Sequence, residues 1–134
     1  MPNICRVLIV EDNEDVQNLL EDVFVAEGYR FAIATDAIEM RRIIAADHID
    51  VVIIDVLLPG GESGLALAHE VAAQGYGVVL VTGHPSHFEA VEKSGHRYLH
   101  KPFRLPSLLQ LVDEVLKATK AKCETRKGAI REPA

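Results

Sequence analysis

Five side chains suited to cation binding or phosphate chemistry each stand directly behind a short apolar segment. Glu11 and Asp12 follow "CRVLIV", Asp55 follows "DVVII", Thr82 with Gly83 follows "GVVLV", and Lys101 with Pro102 follows "RYLH". Three carboxylates brought together would repel and raise one another's pKa. A hard divalent cation with oxygen ligands relieves that repulsion, and Mg2+ characteristically takes one or two carboxylates and keeps several waters. A cation, an ammonium and a hydroxyl can share the three oxygens of a phosphoryl group, and an ionised aspartate can attack phosphorus. The chemistry indicated is phosphoryl transfer onto Asp55, which adds roughly one to two negative charges. One aspartate behind an apolar strand is ordinarily a helix cap or loop residue. The information lies in the whole set and its order.

The elements that must position these residues are legible as well. Apolar segments at 5–10, 30–34, 50–54, 77–81 and 97–100 read as strands, and three are near-continuous rather than alternating, as in strands covered on both faces. Between them run helical patterns. Val16, Leu19, Leu20, Val23 and Phe24 form one stripe, with Asn13 as its cap and Gly28 as its stop. Asp36 caps a second helix through Ala46, with Arg41 and Arg42 on its wet side. Gly64 opens a third, with Leu65, Ala68 and Val71 or Ala72 inward. Residues 86–94 give a short fourth, and Pro106 begins a fifth carrying Leu108, Leu111, Val112, Val115 and Leu116. Five strand–helix repeats predict a doubly wound α/β domain with a parallel sheet and right-handed crossovers. Ligands of such sheets bind beyond the carboxyl ends of the strands, where all five residues fall.

Composition narrows the remaining classes. The 134 residues are 49% hydrophobic and 25% charged, ordinary for one globular domain. No apolar run approaches the roughly 18 residues of a membrane span, and the start of the chain does not read as a secretory signal. The expected location is the cytoplasm. The net charge of −6 divides unevenly: from Lys117 onward six Lys/Arg face two Asp/Glu, leaving −10 on the preceding 116 residues. That acidic body argues against nucleic acid as a partner. Residues 120–134 read as a flexible basic tail. Cys5 and Cys123 show neither a metal spacing nor a disulfide framework, and a reducing compartment suits both. His84 and His87 are three apart, but no Cys or second His pair completes a zinc set. His96 and His100 flank Tyr98 and suit a partner surface. No GxGxxG or Walker-type loop is present, so nucleotide binding has no support.

The stretches "VLIVEDNEDVQNLLEDVFVAEGY", "DVVIIDVLLPG", "VVLVTG" and "YLHKPF" resemble the receiver domain of two-component response regulators, CheY-like and stand-alone, over roughly residues 5–117. The resemblance implies a flavodoxin-like sheet of five parallel strands in the order 2-1-3-4-5, flanked by five helices. It implies Asp55 as phosphoacceptor and Glu11, Asp12, Asp55 and the Leu57 backbone carbonyl as ligands of Mg2+. Thr82 and Lys101 would grip the phosphoryl oxygens, with a cis bond at Lys101–Pro102. Thr82 and Tyr98 would be the switch residues. The phosphoryl donor would be a sensor histidine kinase or a histidine phosphotransfer protein. Output would be contact with a downstream protein through the fourth helix, fifth strand and fifth helix, homodimers included. The chain would then be a signalling switch whose only catalysis is its own Mg2+-dependent phosphorylation and dephosphorylation. A Mg2+-dependent aspartyl-phosphate phosphohydrolase and a phosphate sink or relay are the alternatives. The loop "VLLPGGESGL" departs from the family, with Gly64 five residues after Pro59. Leu57 stands where related phosphohydrolases carry a second acid. An apolar side chain there cannot orient a water, which implies slow loss of the phosphoryl group.

Overall fold

The computed structural model describes residues 3–125 and 130–131. Its main sheet has five parallel strands: β2 (Arg6–Val10), β3 (Arg30–Ala34), β4 (Val51–Asp55), β5 (Gly77–Thr82) and β6 (Arg97–His100). Their spatial order is β3-β2-β4-β5-β6, the predicted 2-1-3-4-5 arrangement. The continuous apolar runs arise because alternate residues of each strand feed separate cores. Val7, Ile9, Ile53, Val79 and Val81 meet Phe24 of α1 (Glu14–Ala26) and Val112 of α5 (Leu105–Ala118). Leu8, Val10, Val52, Ile54 and Leu80 meet Met40 of α2 (Ala37–Ala46), Leu67 of α3 (Gly64–Ala73) and Val91 of α4 (Phe88–Lys93). Helices therefore cover both faces, and none of those described is long and apolar enough to cross a membrane.

Local chemistry sets the helix limits. The Asn13 side chain accepts from the backbone N–H of Val16, and Gly28 takes φ +85° just beyond α1. Asp36 accepts from the Glu39 N–H at the start of α2. Ser63 caps α3, and the buried residues of that helix are Gly64, Leu67, Ala68 and Val71. Leu65 is only half-buried, so the stripe is rotated from the expected one towards Leu67. A 3-10 turn over Pro85–His87 leads into α4. Pro106 is the second residue of α5, where its missing N–H costs nothing.

One expectation is overturned. Cys5 and Cys123 are joined in a disulfide with Cα atoms 4.9 Å apart, although 118 residues separate them. The chain turns back after α5, with Lys120 in the left-handed region at φ 58°. It then forms β7 (Cys123–Glu124) beside β1 (Asn3–Ile4), and β7 also pairs with β8 (Ile130–Arg131). The expected first strand at 5–10 is thus broken at Cys5, with β1 in a second small sheet and β2 in the main one. Of the segment read as a flexible tail, residues 126–129 and 132–134 lie outside those described.

Candidate functional site

Parallel register aligns the carboxyl ends of the strands, and this creates the site. Val10 pairs with Ile54, Asp55 with Val81, and Thr82 with His100. One residue further, the Glu11 N–H donates to the Ala34 carbonyl and the Lys101 N–H to the Thr82 carbonyl, so both side chains leave the sheet at its edge. Glu11, Asp12, Asp55, Thr82 and Lys101 line one cleft of about 800 Å³. All five expected side chains meet there.

Lys101 ties the set together. Its Nζ donates to Asp55 Oδ2 at 2.8 Å and to Glu11 Oε1 at 3.0 Å. The Lys101–Pro102 bond is cis, as expected. Asp55 is 9% exposed and Glu11 3% exposed, whereas Asp12 is open to solvent. Burial, followed by the contact with Asp55, pushes the Glu11 carboxyl up to about 8. For Asp55, burial also pushes upward. The neighbouring Glu11, the Lys101 ammonium and the Leu57 N–H outweigh it and hold the carboxyl below its ordinary value. Burial lowers Lys101, and its two carboxylate partners more than restore it. At neutral pH this arrangement keeps a proton on Glu11 while Asp55 is ionised and able to act as a nucleophile.

The donor set fits a hard divalent cation. Ligand oxygens of Glu11, Asp12 and Asp55 all lie within 4.8 Å of one another. Glu11 Oε2 and Thr82 Oγ1 are buried and have no hydrogen-bond partner among the described residues. Buried polar atoms are normally satisfied, and two orphans facing one acidic cleft point to groups that bind there.

The loop after Asp55 is shaped by three contacts. The Leu57 N–H donates to Asp55 Oδ1 at 3.0 Å, while the Leu57 side chain is 64% exposed. Gly64 packs so tightly that a Cβ on it would stand 2.0 Å from the Asp55 carbonyl oxygen, and its N–H bonds the Val56 carbonyl. Arg41 reaches from α2 to grip Glu62 in the loop through two nitrogens at 3.0 and 2.8 Å, and also holds Glu70 of α3. The hydrogen bonds to Arg41 keep both glutamates below their ordinary values. Sequence reasoning kept Arg41 on the wet side and missed this clamp. Its signal was weak, a basic residue on α2 with acidic residues 21 and 29 positions later.

Tyr98 stands apart from the cleft. It is half-buried against the core on the α3–α4 side, and its ring stacks on His100 at 5.4 Å. His100 in turn lies flat on Phe88, with ring centres 3.9 Å apart. His84 is exposed, and its Nδ1 accepts from the Ser86 N–H.

A flavodoxin-like sheet with an acidic cluster, a hydroxyl and a lysine at its carboxyl edge defines an α/β domain whose site fits a phosphoryl acceptor. Residues 7–113 match the family described as "Response regulator receiver domain", and the chain belongs to that family. It is 38% identical over 102 residues to the Aerobic respiration control protein ArcA of Escherichia coli (strain K12), covering 73% of this chain and 42% of that protein. Among solved structures, a CheY-like receiver domain protein from Methanospirillum hungatei JF-1 superposes with TM-score 0.77 at 26% identity, covering 87% of this chain and 97% of that one. The response regulator TrrA from Thermotoga maritima, crystallised in complex with Mg(2+)-BeF, gives TM-score 0.74 at 25% identity, covering 84% and 99%. The chain spans about half the length, or less, of the first curated relatives it matches. The chain therefore carries the receiver domain of response regulators, a signalling switch rather than a conventional enzyme. Receiver domains bind Mg2+ at an acidic site, and the group of Glu11, Asp12 and Asp55 is of that kind.

Proposed function

We propose that Asp55 is the phosphoacceptor and that its phosphorylation state is the signal. An ionised Asp55 oxygen attacks the phosphorus of a phosphohistidine, the P–N bond breaks, and the leaving imidazole takes up a proton. Lys101 follows the phosphoryl oxygens with its ammonium, and Thr82 offers them its unpartnered hydroxyl. Glu11, Asp12, Asp55 and the Leu57 carbonyl would hold Mg2+, which offsets the acidic charge and polarises the phosphoryl group when bound. The observation that carries this reading is the Lys101 ammonium seated between Asp55 and Glu11.

In this reading the donor is a sensor histidine kinase or a histidine phosphotransfer protein in the cytoplasm. The output is a protein target, a second copy of the chain included, that contacts α4, β6 and α5, with Thr82 and Tyr98 relaying the change. The receiver comprises residues 1–119 and the basic segment beyond is an appendage. The apolar Leu57 side chain argues against turnover of external phosphoesters, since it offers no acid two residues after Asp55 to protonate a leaving group. Incubation with acetyl phosphate and Mg2+ tests the proposal by intact mass. Wild type gains one phosphoryl group, and Asp55→Asn gains none. Equal labelling of the two would overturn it.

A further inference from the structure

We propose that Cys5 and Cys123 form a reversible redox modification site whose state decides whether residues 119–125 are held against the domain. Cys5 precedes β2, at the end of the sheet opposite the phosphate cleft, so the pair is independent of the chemistry of Asp55. Both cysteines are fully buried, and β2 pairs with β3 and β4 through the residues that follow Cys5. What the bond secures is the chain beyond α5. There, the Ala121 N–H reaches the Leu116 carbonyl, the Cys5 N–H reaches the Glu124 carbonyl at 2.7 Å, and β7 meets β1 over only two residue pairs. Short terminal elements with few backbone bonds open locally at low cost, without unfolding the core. Such opening exposes the sulfurs while the five-stranded sheet persists.

The compartment gives the bond its meaning, and here the inference rests on the cytoplasmic location proposed above. Disulfides in a reducing compartment are usually transient and redox-sensing rather than permanent braces. Closure proceeds by thiol–disulfide exchange with a small-molecule disulfide such as oxidised glutathione. The Cys123 thiolate, on the peripheral segment, attacks one sulfur and releases one glutathione thiolate. The Cys5 thiolate then attacks Cys123 Sγ and releases the second. The two cysteines lose two electrons, and their two protons end on the two released thiols. Opening reverses these steps. Buried thiols are otherwise inert, so both directions run through the opened segment.

The test uses the full chain equilibrated in defined ratios of reduced to oxidised glutathione, with thiols trapped by alkylation and counted by intact mass. The expected result is a passage from closed to open with the far-ultraviolet circular dichroism unchanged. Amide exchange at residues 119–125 should become about tenfold faster in the open form, with that of β2, β4 and β5 unaltered. Cys123→Ala should show the same fast exchange under oxidising conditions, and Cys5→Ala is the second variant should the first fold poorly. A bond that stays closed until the main sheet unfolds would overturn the proposal, as would two thiols that never couple in oxidised glutathione. None of these readouts depends on phosphorylation of Asp55, so the two readings fail separately.

Discussion

The ammonium of Lys101 stands 3.0 Å from a carboxylate oxygen of Glu11, ninety residues earlier in the chain, and its other partner is Asp55. Removing the cation leaves the pair of buried acids without it. For Lys101→Ala we expect a loss of about 2 kcal/mol in metal-free buffer, below the range for a fully buried pair because the lysine is partly exposed. Urea unfolding measures that loss. Labelling by acetyl phosphate should also fall sharply, because one grip on the phosphoryl oxygens is gone.

The raised Glu11 carboxyl makes stability pH-dependent. Its folded value is about 8 against an ordinary 4.5, so the native state holds the extra proton between those limits. Stability of the metal-free protein should therefore fall as pH rises from about 4.5 to 8. Asp55 acts with the opposite sign, and only in acid: its value is lowered, so its contribution is lost as pH falls through the carboxylate range. Glu11→Gln should flatten the slope above pH 5. Denaturant titrations at several pH values in EDTA would reveal a slope common to both proteins if Glu11 were not its source.

A cation bound by Glu11 must displace that proton. Mg2+ affinity should rise about tenfold per pH unit up to about 8, with one proton released per ion. Calorimetry in buffers of differing ionisation enthalpy counts the protons. In Glu11→Gln the release should vanish and the affinity should no longer follow pH.

Gly64 is held to its residue type by space. A methyl group there meets the Asp55 carbonyl oxygen at 2.0 Å, and backbone must shift to admit it. Gly64→Ala should cost about 3 kcal/mol, at the upper end for overpacking. It should also slow phosphorylation, because the displaced backbone carries the acceptor. Thermal unfolding and labelling rate together check this, and a variant of wild-type stability would count against the packing argument.

The acyl phosphate, once formed, should persist. The Leu57 side chain lies at the cleft, exposed and apolar, and offers nothing to orient an attacking water. We expect a half-life of minutes or longer in Mg2+ buffer, followed by loss of the phosphorylated mass. Leu57→Glu should shorten it, whereas a wild-type half-life of seconds contradicts the assignment.

The sequence was most readable where one short signal had one outcome. "VVII" before Asp55 means a strand buried on both faces, and the residues behind each strand fall at one edge because parallel register places them there. The Asn13 and Asp36 caps are local hydrogen bonds and were equally plain. What escaped depends on three-dimensional proximity. Cys5 and Cys123 meet only because the chain doubles back after α5, which their spacing cannot announce. Arg41 finds Glu62 only because the long loop rises beside α2. The flat contact of His100 with Phe88 follows from how α4 sits on β6 and has no periodic signature.

That aromatic contact joins the start of α4 to the end of β6. Phe88 is the first residue of α4, and His100 pairs in register with Thr82 while also carrying Tyr98 on its ring. Any shift of the β6 backbone beside Thr82 would be felt first at this contact, because His100 carries a ring on either side. The three rings thus connect the strand beside the cleft to the first turn of an outer helix.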